Sequence, residues 1–119
     1  MTFEDLESWQ CSRKLVSLVY RLSRSEPMCR DFGICNQLQR TAVSVMSNIA
    51  EGFERTHLSE KLQFYNVARG STAEVRSLLY AVEDNFPSNG RDAAELRGHV
   101  ITIGKLLSGL IRSTERRKL

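Results

Sequence analysis

The sequence predicts an all-α protein, an antiparallel up-down-up-down four-helix bundle. Three observations predict it. Apolar residues recur at steps of three and four through four long segments. Nothing alternates with a period of two over a useful length, so no sheet is expected. Only 2 prolines and 7 glycines occur in 119 residues, which leaves the segments long and the connections between them short.

The first segment runs from about Asp5 to Ser25. Leu6, Trp9, Val16, Val19 and Tyr20 mark one side, and Cys11, Leu15, Leu18 and Leu22 the neighbouring side. It ends near "SEP", because Pro27 disfavours helical geometry at Glu26. The second segment follows "CRDFG" and reaches about Arg55. Ile34, Leu38, Ala42, Val45, Ile49 and Phe53 form one line, with Val43, Met46 and Ala50 beside it. This apolar arc is wider than one packed neighbour requires, which suggests burial on several sides and a second subunit. The third segment runs from Thr56 or Ser59 to Asn85, with Phe64, Ala68, Ser71, Val75, Leu78 and Val82 at heptad spacing. "NFPSNG" breaks it. The fourth opens at Ser88 or Asp92 and carries Leu96, Val100, Ile103, Leu107 and Leu110. Gly98, Gly104 and Gly109 lie inside it, each costing about 1 kcal/mol relative to Ala. Close helix approach and simple tolerance both account for them.

One domain over residues 1–119 is the natural organisation, long enough to bury a core without staples. Apolar residues at 41% and charged residues at 26% argue against disorder. Cys11, Cys29 and Cys35 are odd in number and lack C-x-x-C spacing, which favours reduced thiols over disulfides or zinc. The start, "MTFEDLESWQ", is acidic where a secretory signal would be basic, and no apolar run nears the ~20 residues of a membrane span. A cytoplasmic protein with no membrane association is expected.

Within the second segment, "SNIAEGFER" mixes residue types. Ile49, Ala50 and Phe53 face packed partners, while Ser47 and Gly52 are small where a neighbouring backbone can approach. Arg40, Asn48, Glu51 and Arg55 fall on a polar stripe with Gln37, Thr41 and Ser44, and Glu51 can pair with Arg55 at i,i+4. The stripe reads as a partly buried seam that sets helix register. Acid–base work would need complementary groups within hydrogen-bond reach, and none is evident. His57 and His99 each follow an arginine by two, not by the four to six of helix-bundle ribonuclease toxins. No catalytic residue, metal site or cofactor is expected.

Net charge is +3, and its distribution says more than its size. Arg112, Arg116, Arg117 and Lys118 cluster in the tail "IRSTERRKL". Lys105, Arg112 and Arg116 line the fourth segment, Arg69 and Arg76 are seven apart on the third beside Asn66 and Tyr80, and Arg13, Arg21 and Arg24 share a face of the first. On a monomer such charges are ordinary solvated surface; in a ring they recur, and weak phosphate contacts become multivalent.

"FEDLESWQ", "QLQRTAVSVMSNIAEGFER", "NVARGSTAEV" and "KLLSGLI", taken in order, resemble a bacterial four-helix-bundle family. It comprises the proteins encoded in intervening sequences of 23S rRNA genes and the accessory variability proteins of diversity-generating retroelements. The resemblance implies a bundle assembling into a pentameric ring or barrel, without enzymatic activity. Retroelement members are basic and bind RNA or DNA and a reverse transcriptase. Met46 stands where many members carry a proline, which removes an expected kink. Lys61 stands where an aromatic is common, which predicts looser packing at the entry to the third helix. Two functional readings follow: a homo-oligomeric nucleic-acid-binding accessory protein, and a structural or protein-interaction bundle without nucleic-acid binding.

Overall fold

The computed structural model describes residues 1–117. Four helices carry the chain: α1 (Glu7–Ser23), α2 (Phe32–Glu54), α3 (Leu58–Asn85) and α4 (Gly90–Arg116). Single 3-10 turns at Phe3–Asp5, Met28–Arg30 and Pro87–Asn89 lie before α1 and at two of the corners, and no strand occurs among the described residues. α2 begins inside "CRDFG", because Asp31 caps it: its carboxylate accepts from the Ile34 amide at 3.1 Å. With Met46 in place of a proline, α2 runs unbroken for 23 residues.

The helices pack in cyclic order, α1 against α2 and α4, α3 against α2 and α4. Neighbours are antiparallel. Across α2 and α3, Thr41 meets Glu74 and Ser44 meets Ser71, so numbers rise on one helix as they fall on the other. Across α3 and α4, Arg97 meets Glu83. Buried Asn89 ties the two corners at one end together: its side chain accepts from the Met28 amide and donates to the Glu26 carbonyl. The core is one cluster drawn from all four helices, with Leu15, Val19, Leu38, Val45, Val75, Leu79, Ile103 and Leu107 fully enclosed.

Packing corrects several details of the apolar lines. In α1 the buried stripe is Trp9, Leu15, Val19 and Leu22, taken from both expected sides, and Tyr20 is exposed. In α3 the buried line is Tyr65, Ala68, Thr72, Val75, Leu79 and Val82, so Phe64, Ser71 and Leu78 lie at its margin. In α4 Ile111 is buried where Leu110 was expected. Each case has the same cause: two apolar lines lie one residue apart on a helix, and the neighbours' positions select between them. The arc of α2 is also covered more fully than expected, because α1 and α3 take its two flanks; Val43, 40% exposed, is its main uncovered part.

The polar stripe of α2 becomes a seam against α3. Glu74, which the sequence did not single out, accepts from Gln37 and from Thr41 at 2.9 Å. Ser44 and Ser71 pair at 2.9 Å, and the Asn48 amide donates to the Ser44 carbonyl and hydroxyl. Arg40 lines the same seam. The seam stops there. Glu51 and Arg55 make no ion pair; Arg55 instead lies over the Phe64 ring, 4.6 Å from its centre, and Glu51 is exposed. Ser47 is exposed too, bonded only to the Ser44 carbonyl. Ile49 is fully buried as expected. Gly52 is a point of close approach, but to a side chain: a Cβ there would lie 2.7 Å from the buried Tyr65 ring and 3.1 Å from Phe64 Cβ.

Lys61 replaces looseness with a specific contact. Its ammonium donates to the Phe53 carbonyl at 2.6 Å and the Gly52 carbonyl at 3.4 Å, and lies 5.4 Å from the centre of the Phe53 ring. It thus caps the C-terminus of α2, where carbonyls lack helical partners and the helix dipole favours a cation. Burial, and then the charge of Arg117, lower its pKa, so the ammonium gives up hydration for this cap. Lys61→Met is expected to lower stability by about 1–2 kcal/mol, the worth of a charge-assisted hydrogen bond at a helix end. A urea midpoint shift at constant m-value measures it.

Candidate nucleic-acid interface

Four cations of this chain are brought together by one helix pair. Arg69, Ala73 and Arg76 step by four and three, so they share a face of α3. On α4, Ile101, Gly104, Lys105, Ser108 and Arg112 occupy the facing side. Packing of α3 against α4 turns the two faces into the walls of a groove, with the buried Thr72 and Val100 between them. Arg69, Arg76, Lys105 and Arg112 line it, and no carboxylate does. Among the described residues none of the four makes an ion pair, though Arg69 donates to Asn66 at 2.9 Å.

Gly104 contributes depth. A Cβ there would meet only Thr72 Oγ1, at 4.0 Å, so helix approach does not require the glycine. Gly98 has open space around it, and Gly109 meets only the Arg112 side chain, at 3.9 Å. Close approach therefore explains none of these three glycines.

Beyond the last cation the groove meets an aromatic clamp. Tyr80 follows Arg76 by four on α3, and Arg97 precedes Ile101 by four on α4. Arg97 Nε and Nη2 donate to the two Glu83 oxygens at 2.6 and 2.9 Å, and Nη1 donates to the Tyr80 hydroxyl at 3.2 Å. The guanidinium lies 4.3 Å from the Tyr80 ring centre. The Arg97 hydrogen bonds hold the Glu83 carboxyl below the usual carboxylate range. Arg97 is thus charge-paired, unlike the four groove cations.

The other expected cations are dispersed. Arg112 turns into the groove, whereas Arg116 and Arg117 lie at the end of α4, so the tail does not act as one cluster; Lys118 lies outside the described residues. Arg13 stacks over Trp9 at 5.8 Å. Arg24 is exposed at the end of α1. Arg21 lines a cleft between α1 and α4 with Lys14 and His99, but Asp92 and Glu95 line it too, so its charge is mixed. His57 precedes α3 with no side-chain cap, and His99 faces the α1 cleft while Arg97 faces α3. Burial raises the thiol pKa of both Cys29 and Cys35, and the Cys35 thiol donates to the Met28 carbonyl at 3.3 Å. No group of three His, Cys, Asp or Glu side chains converges among the described residues, and no described helix is long and apolar enough to cross a membrane.

Sequence reasoning found all four groove cations but did not join them across two helices. It missed Ile101 and Glu83 and gave Tyr80 no role. The available signal was the 4-3-4-3 series from Arg69 through Ala73, Arg76 and Tyr80 to Glu83.

A family model described as 23S rRNA-intervening sequence protein matches residues 4–109. One similar solved structure is a crystal structure of a protein with unknown function from the S23 ribosomal protein family of Bacteroides thetaiotaomicron VPI-5482. It shares 18% identity and a TM-score of 0.79, covering 87% of this chain and 97% of that one, and shows the same fold. No curated protein matches.

Proposed function

The chain belongs to the 23S rRNA-intervening sequence protein family, and we propose that it works as a non-enzymatic nucleic-acid-binding accessory protein. The observation that carries this is the α3–α4 groove, where four cations from two helices face one another with no carboxylate among them. Phosphates neutralised by such cations release condensed counterions, which gives affinity without sequence preference. A homo-oligomer, a pentamer by family resemblance, would repeat the groove around its axis and make weak contacts multivalent. Val43 and Val67, 40% and 49% exposed on the outer sides of α2 and α3, are apolar surface available to such assembly. Work beside a reverse transcriptase in a diversity-generating retroelement rests on the resemblance, and gene neighbourhood tests it: a reverse transcriptase and template repeat beside the gene, or a 23S rRNA operon around it.

The binding experiment titrates labelled RNA and DNA at several salt concentrations. Wild type is compared with a variant in which Arg69, Arg76, Lys105 and Arg112 are all Ala. Wild type is expected to bind with a steep log–log salt slope. The variant is expected to lose affinity and roughly 0.7 to 0.9 units of slope for each phosphate contact removed. Light scattering on both proteins should give the same oligomeric mass, a multiple of the 13.6 kDa chain. Absence of binding at low salt overturns this function and leaves the protein-interaction bundle in its place.

A further inference from the structure

We propose that the α3–α4 groove is a single-strand site, in which phosphates follow the four cations and an unpaired base stacks on Tyr80. This rests on the nucleic-acid reading above and adds the class of nucleic acid to it. The clamp at the groove's end carries the inference. Tyr80 is half exposed, at 50%, yet its ring is held on one face by Arg97 and at its hydroxyl by the same guanidinium. Arg97 is in turn fixed by both Glu83 oxygens. An aromatic ring pre-positioned this way loses little rotamer freedom when something stacks on its open side. A purely structural clamp between two helices has no need of the tyrosine's exposed half.

The order of groups along the groove suits one strand. Arg69 to Tyr80 spans about 16 Å at 1.5 Å per helical residue, room for about four or five stacked nucleotides at 3.4 Å each. The cations come first, Ile101 adds apolar surface, 40% exposed, and the ring comes last. A positively charged path that ends on a stacking ring combines the two elements of sequence-tolerant single-strand binding, since every base has a π-face. A duplex cannot use the ring, because its bases are already paired and stacked. Nor can it enter a cleft between two helices packed at ordinary separation, about 8–10 Å between axes. It can touch the rim cations only.

The test measures a labelled 12-nucleotide single strand, as RNA and as DNA, and the matching duplex at one low salt concentration. Proteins are wild type, Tyr80→Ala, Tyr80→Phe and the four-cation variant. Wild type should prefer the single strand. Tyr80→Ala should lose about 5- to 100-fold in single-strand affinity, the worth of one stacked base. It should keep its duplex affinity and its salt slope, since stacking releases no counterions. Tyr80→Phe should keep most single-strand affinity. Photo-crosslinking of a bromouridine single strand to wild type, mapped by mass spectrometry, should mark Tyr80 and needs no variant. Equal wild-type affinity for duplex and single strand overturns the proposal, as does equal loss on both in Tyr80→Ala, no loss on either, or a crosslink elsewhere. In those outcomes the four-cation variant still reports the groove, so the broader nucleic-acid reading stands. If wild type binds nothing, both fall.

Discussion

Ile49→Asp is expected to leave the chain unfolded or aggregated. Ile49 is fully buried in α2, within the core that joins all four helices. The substitution removes an aliphatic side chain, which alone costs about 2–5 kcal/mol in a packed core. It also buries a carboxylate within the hydrophobic core cluster, which adds several kcal/mol or forces protonation. Together these approach the whole stability of a domain this size, about 5–15 kcal/mol. Far-UV circular dichroism and size exclusion measure the outcome. A soluble variant with unchanged helicity and melting temperature would show that this face of α2 does not point into the core.

Gly52→Ala should be the most damaging glycine-to-alanine change in the chain. Alanine normally stabilises a helix by about 1 kcal/mol relative to glycine. Here the added Cβ would lie 2.7 Å from one ring carbon of Tyr65 and 2.8 Å from another. The ring is enclosed, and Phe64 Cβ, at 3.1 Å, is tied to the backbone. Relief requires α2 and α3 to separate or Tyr65 to leave its rotamer, about 1–3 kcal/mol or more of overpacking. The net effect is a lower denaturant midpoint. Gly98→Ala serves as the control, because nothing lies within 4 Å of a Cβ there and only the propensity gain remains. If Gly52→Ala were as stable as Gly98→Ala, the packing at this corner would not be what the distances describe.

The "SNIAEGFER" motif shows how far local reasoning carries. Ile49 and Asn48 occupy the roles their positions predict, since one faces the core and the other bonds back to Ser44 within its own helix. Glu51 and Arg55 do not, although their spacing allows a pair. Arg55 finds the Phe64 ring at 4.6 Å, a partner on another helix that no spacing within α2 reveals. An exposed i,i+4 ion pair is worth only a few tenths of a kcal/mol, so even a modest aromatic contact outweighs it. Lys61 follows the same logic: its partners are the Phe53 and Gly52 carbonyls, which become available only once α2 ends beside it.

By itself the sequence determined that this chain makes four helices, where they break, and roughly which side of each is buried. Period 3.6 patterning and turn residues are local properties, and burial of an apolar stripe is the dominant energy, so these features need no knowledge of neighbours. The tertiary structure alone decided which of two adjacent apolar lines enters the core, as with Tyr65 and Leu79 over Phe64 and Leu78. It also decided that Arg69 and Arg76 share a groove with Lys105 and Arg112, ending at Tyr80 stacked on Arg97. The four cations come from two helices distant in the chain and, being alike in charge, gain nothing from one another energetically. Their meeting is set by how α3 and α4 rotate to bury their apolar faces, and the charges on the rim follow.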